Sequence, residues 1–148
     1  MKRLGQGPIE RDVRVLRVLL GKCGLAQPGG WLPFSAYGQL PGGPISAAGN
    51  PFAVTVPRAL LVKSWDQRVN CMAPNDGSNY WRIQMAGSVT GTFAEVNTAA
   101  LSPGVSSVLS VPNVNCQLPS SETHLYLYVF KVGSPGNMYM AAPCVFVV

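Results

Sequence analysis

From Phe52 onward, apolar and polar residues alternate in short runs of β type, each closed by a turn signal. FAVTV and ALLVKSW flank Pro57, and NYWRIQM follows the turn sequence APNDGS. TFAEVNTA follows SVTG, and GVSSVLSV alternates with a period close to two. HLYLYVFKV is the strongest strand pattern, with Leu125, Leu127 and Val129 on one face and Tyr126, Tyr128 and Phe130 on the other. The turn GSPGN then leads into MYMAAPCVFVV, and the spacing predicts a hairpin of these last two segments. Roughly seven or eight short strands with turns between them predict an all-β body, an antiparallel β-sandwich of jelly-roll-like kind. A sandwich strand usually shows one face to water. The 124–132 segment is apolar on both, so it is either central and covered twice or its second face meets another subunit.

The chain before Phe52 has a different texture. Residues 29–52 read GGWLPFSAYGQLPGGPISAAGNPF, without a charge. Pro at 28, 33, 41, 44 and 51 and the interspersed glycines exclude a regular helix or a central strand. Yet the stretch carries Trp31, Phe34, Tyr37 and Phe52, which a flexible linker does not need. Upstream, PIERDVRVLRVLLG (residues 8–21) places Ile9, Val13, Leu16 and Leu20 on one helical face, with Glu10 and Arg14 as an i,i+4 pair. The Val13–Arg14–Val15 alternation also permits a strand; the helical reading is preferred, and such a helix is too short to stand alone in water. The pattern therefore divides the chain into an N-terminal arm, residues 1–52, and a β-body, residues 53–148. An extended arm laid over a neighbour would bury its aromatics and pair its backbone, becoming ordered by binding. Its partner-facing residues are expected to be Arg11, Arg14, Arg17, Trp31, Phe34, Tyr37 and Phe52.

Composition sharpens this picture. Charged residues are 11% of the 148, against roughly 25% in an average soluble protein, so much of the exterior is neutral or covered by something else. The net charge of +5 is uneven: the first 22 residues hold six basic and two acidic side chains, and the remainder five and four. The apolar run after Arg17 is only Val18–Leu20, short of the ~7 residues a secretory leader needs. No run approaches the ~18 apolar residues of a membrane span, so no membrane partner is expected. Cys23, Cys71, Cys116 and Cys144 lack CxxC spacing and have one histidine for company, which gives a zinc site no support. They are expected as reduced, mostly buried thiols, with a disulfide between two of the last three as the alternative in oxidising surroundings.

Chemistry is thinly supplied. His124 is the single histidine and opens a strong strand after SSET, where a polar residue belongs in any case. The body's acids, Asp66, Asp76, Glu95 and Glu122, are scattered. The Gly doublets lack the Lys and Ser/Thr of a phosphate loop, and no calcium loop of alternating acids occurs. No catalytic site, metal or cofactor is expected. Six basic residues without interleaved aromatics, interrupted by two acids, are a weak nucleic-acid signal, and a partner-docked or solvated face fits them better. Trp65, Tyr80 and Trp81 would suit a sugar-stacking platform, although tryptophan in a sandwich strand is more often core.

A basic N-terminal arm, a Gly/Pro-rich connector and a compact, nearly uncharged β-rich knob together resemble small accessory proteins of tailed-phage virions, the capsid decoration (cement) proteins and short head or tail fibres. The resemblance is one of architecture over the whole chain, and no motif carries a functional residue across. It implies a non-enzymatic homo-oligomer, dimer or trimer, that binds major capsid protein or another virion protein through the arm. It also implies a place in the virion after assembly in the host cytoplasm. The alternative is a carbohydrate- or receptor-binding knob with Trp65, Tyr80 and Trp81 as its platform. The two differ in whether those rings lie in an open groove.

Overall fold

The computed structural model describes residues 30–32, 35–36, 45, 47–56 and 58–148. The 8–21 segment, Arg11, Arg14, Arg17, Cys23, Phe34 and Tyr37 lie outside the described residues. Two antiparallel sheets face each other, as the alternating pattern predicts, and no helix occurs among the described residues.

The first sheet is organised by β4 (Leu61–Cys71), the longest strand. One edge of β4 pairs with β11 (Cys144–Val147) and then with β10 (Met138–Met140). The other edge pairs with β7 (Ser106–Val111) and with the short β8 (Cys116–Gln117). β1 (Gly30–Leu32) adds to the far side of β11, and Ile45 makes an equivalent two-bond bridge to Met138. The second sheet runs β2 (Ser35–Ala36), β3 (Gly49–Thr55), β9 (His124–Val132), β5 (Tyr80–Gly87) and β6 (Gly91–Asn97).

Alternation places the core between the sheets. Trp65 and Val69 of β4 meet Trp81, Ile83 and Met85 of β5 and Leu125, Leu127 and Val129 of β9, all essentially inaccessible to water. Trp81 is held at three points. Its indole donates to the Gly136 carbonyl (2.8 Å), its amide donates to the Thr98 hydroxyl (2.9 Å), and its carbonyl accepts from the Thr98 amide (3.0 Å). Gln67, fully buried, donates to the Ala141 carbonyl (2.7 Å) and so ties down the break between β10 and β11 at its own strand's centre.

Three expectations are corrected. Residues 124–147 do not form a hairpin: β9 lies in the second sheet and β10 and β11 in the first. Both edges of β9 are taken, by β3 and by β5, so GSPGN carries the chain over the end of the sandwich. Gly133 sits at φ 63° there, packed against the Ser78 carbonyl, where a side chain would collide. Second, the Gly/Pro-rich stretch holds an internal strand. β3 contains Pro51 and lies between β2 and β9; a register shift between Gly49 and Phe52 accommodates the missing N–H. Third, residue 52 falls inside β3, with Phe52 buried at 3% exposure opposite Leu127. Together with the pairing of β1 and β2, this moves the described part of residues 1–52 into the body's own sheets. Of the described cysteines, Cys71 is a buried free thiol and Cys116 a half-buried one, and Cys144 is half-buried at the start of β11.

A truncation series checks this boundary. Removing residues 1–29 is expected to leave a cooperative thermal transition. Removing residues 1–52 takes away β1, β2, the Ile45 bridge and half of β3, and is expected to abolish that transition in circular dichroism. Phe52→Ala in the full chain should cost about 3–5 kcal/mol in urea unfolding, the usual penalty for emptying a large aromatic site.

Candidate interaction surface

Residues that point away from the core on β9 form a row of rings, His124, Tyr126, Tyr128 and Phe130, each half-buried. The strand's period of two creates the row, and centroid spacings of 5.9, 5.9 and 6.3 Å keep successive rings in contact. Small residues flank it: Ala53 of β3 and Ala86 of β5 stand opposite Tyr126 on either side, and both are buried on this outer face. The polar border comes from β5 and β6. Arg82 lies over the Phe130 ring at 4.9 Å and 3.9 Å from Glu95, whose carboxylate also accepts from the Gln84 amide (2.6 Å). That ion pair is about 40% exposed on both sides and contributes little to stability; its effect is to hold the guanidinium over the ring. The result is a broad face, aromatic along its middle and paired in charge at its margin.

At the His124 end, the structure builds an anion site closed by its own chain. Glu122 is 3% exposed. Its carboxylate accepts from the Ser88 and Thr90 hydroxyls and from the amides of Val89 (2.9 Å) and Thr90 (2.9 Å), so it grips the whole β5–β6 turn. Gly87 leaves the room, because a Cβ there would strike the carboxylate. Burial alone would raise the Glu122 pKa; the four hydrogen bonds outweigh it and lower it from 4.5 to about 2. His124 Nδ1 lies 3.1 Å from the Thr123 hydroxyl, which lies 3.0 Å from Ser88 Oγ, and Ser88 in turn donates to Glu122. Serine, histidine and acid thus share one hydrogen-bonded chain in an order unsuited to nucleophilic catalysis. A base must take the serine proton directly, whereas here that proton points at a carboxylate already saturated by its neighbours.

The residues expected to act fall in different places. Trp65 and Trp81 are at 1% and 0% exposure in the core, on opposite sheets, and offer no ring face to a sugar. Tyr80, half-buried at the start of β5, is the one member of that trio on the outer face, near the Phe130 end of the row. Trp31 is in β1, opposite Phe146, and Phe52 is in the core. The row itself was visible as the second apolar face of the 124–132 segment. The Glu122 clamp was not, since its donors lie 32 to 34 residues away.

No family model matches the chain, and no curated protein matches it. Among solved structures, a chain from the structure of infectious bursal disease virus Gt strain is similar at 17% identity over 82% of this chain and 31% of that one, with a TM-score of 0.40. A chain from the crystal structure of the infectious bursal disease virus VP2 subviral particle is similar at 13% identity over 78% and 29%, with a TM-score of 0.39. The chain spans about a third of the length of these structural neighbours.

Acid titration tests the clamp. A carboxylate whose folded pKa lies below its unfolded one contributes stability that is fully present above the unfolded value and lost as pH falls through the folded one. For Glu122 that window runs from about pH 4.5 down to about pH 2, and its full width corresponds to about 3 kcal/mol. Urea unfolding of Glu122→Gln should start from a lower stability at pH 7 and lack this part of the acid slope.

Proposed function

We propose that the chain is a non-enzymatic structural subunit of a virion, which attaches to a shell protein and stabilises it in the manner of a cement protein. The observation that carries this reading is the outer face of the β9 sheet. It has a continuous aromatic middle, a margin whose charges are already paired, and hardly any other charge in a chain that is 11% charged. Aromatic residues and arginine are favoured in the buried centres of protein interfaces, and charged residues generally are depleted there. The closed state of Glu122 supports the non-enzymatic part, because its lone pairs serve its own turn. The basic segment of residues 1–22, with Arg11, Arg14 and Arg17, supplies the steering charge for an acidic neighbour, which guides docking more than it adds affinity. Major capsid protein is the partner that this reading favours.

One observation favours a second reading. Rings spaced about 6 Å apart beside the amide of Gln84 and the carboxylate of Glu95 also suit a sugar or receptor. In that case the same face would act as the knob of a head or tail fibre.

Co-sedimentation with empty shells of the cognate virus separates these readings. Full-length chain is expected to pellet with shells. Tyr128→Ala should weaken the association at least tenfold, about 1.4 kcal/mol or more, with the thermal midpoint moved by only a few degrees. The chain lacking residues 1–29 should fold and fail to attach. Full attachment by both variants would overturn the reading. Saturable glycan binding lost in Tyr128→Ala, with no shell binding by the wild type, would establish the second.

A further inference from the structure

The opposite outer face, on the β4 sheet, has another character. Asp66 and Arg68 stand two residues apart at its centre, pointing away from the core on either side of buried Gln67. Neither side chain has an ion-pair partner among the described residues. Around them, among Ser64, Asn70, Ser106 and Ser110, exposed apolar side chains share the face: Val108 stands opposite Arg68, Tyr139 opposite Asn70, and Met72 follows the end of β4, at 53%, 44% and 54% exposure. Phe146 stands opposite Ser64 on the same face.

We propose that this face seats a second copy of the chain across a two-fold axis. A contact between identical surfaces is self-complementary when each charge meets its opposite in the copy. An axis lying in the interface, perpendicular to β4 and passing at the level of Gln67, turns the partner strand antiparallel. It sets Arg68 against Asp66 of the second copy and Asp66 against its Arg68. The two positions are about 7 Å apart along the strand, so both pairs form together. The same axis brings Tyr139, level with Asn70, over Phe146, level with Ser64, because residues 70 and 64 are equally distant from 67. Val108 then lies over Ser110, with no like charges in contact. Two sheets packed face to face in this way form the ordinary aligned arrangement. The charge pairs fix the register and the apolar side chains supply the area. The inference concerns the chain alone and does not depend on the shell partner.

Sedimentation equilibrium of the purified full-length chain tests it. A dimer is expected. Arg68→Glu and Asp66→Arg should each raise the dimer dissociation constant at least tenfold, since each sets like charges against one another. The double variant Asp66→Arg/Arg68→Glu should restore the dimer, because the swap is again self-complementary. An equimolar mixture of the two single variants should form a heterodimer, in which the two carboxylates of one variant face the two guanidinium groups of the other. Circular dichroism should show all variants folded, as both positions lie on the surface. Should a reversal disturb folding, Tyr139→Ser on the neighbouring strand carries the same expectation of a weakened dimer. A monomeric wild type, a trimer, or a dimer indifferent to both reversals and to Tyr139→Ser would overturn the proposal.

Discussion

The sandwich depends on β9 having every side occupied. Its two edges hydrogen-bond to β3 and β5, and its Leu125, Leu127 and Val129 fill the core against the other sheet. Its remaining face is the aromatic row. A central strand of this kind is strongly non-local, since β3 precedes it by some seventy residues and β5 by about forty. The second sheet therefore cannot close until the chain has returned, and the final segment finds both edges of β9 already taken. β10 and β11 cross to the first sheet for that reason, and their arrival completes the edge of β4.

The crossing explains where the unusual residues sit. Trp81 reaches across to the Gly136 carbonyl and makes the crossover segment part of the core boundary. Gln67 does the same for the β10–β11 break through Ala141. Each replaces a missing ladder bond with a side-chain bond from a buried polar group, which is how an interrupted strand avoids stranded carbonyls. The residual cost is visible in Trp65 Nε1 and Gln67 Oε1, which have no hydrogen-bond partner among the described residues.

Much of this was legible in the chain. The period-two runs located β3 to β7 and β9 and gave the sandwich class, because alternation reports directly which residues face inward. The two-faced apolar strand was recognised as either central or partnered, and it is central with a half-buried outer row. Pairing was not legible. GSPGN between two strong strands reads as a hairpin, and only the prior occupation of both β9 edges forbids it. Pro51 argued against an internal strand, and a local register shift answered that objection. Trp65 and Trp81 were candidates for a platform because aromatic residues on alternating strands look the same from either face; the side that faces the core depends on the sheet opposite. The Glu122 clamp and the Asp66–Arg68 placement arise from contacts and register between distant segments, for which a single sequence carries no local sign.

The Glu122 clamp also bears on the order of events in folding. β5 and β6 are neighbours in sequence and can pair early, as local hairpins do. The carboxylate that fixes their turn arrives with the segment leading into β9, so the hairpin can form with its turn still loose and be locked only when the sheet closes. Interactions made after the rate-limiting step slow unfolding while leaving the folding rate nearly untouched. A clamp closed that late would act as a latch, with its effect on lifetime. The lifetime of the folded chain would then come from how seldom that latch opens, more than from how quickly the chain first folded.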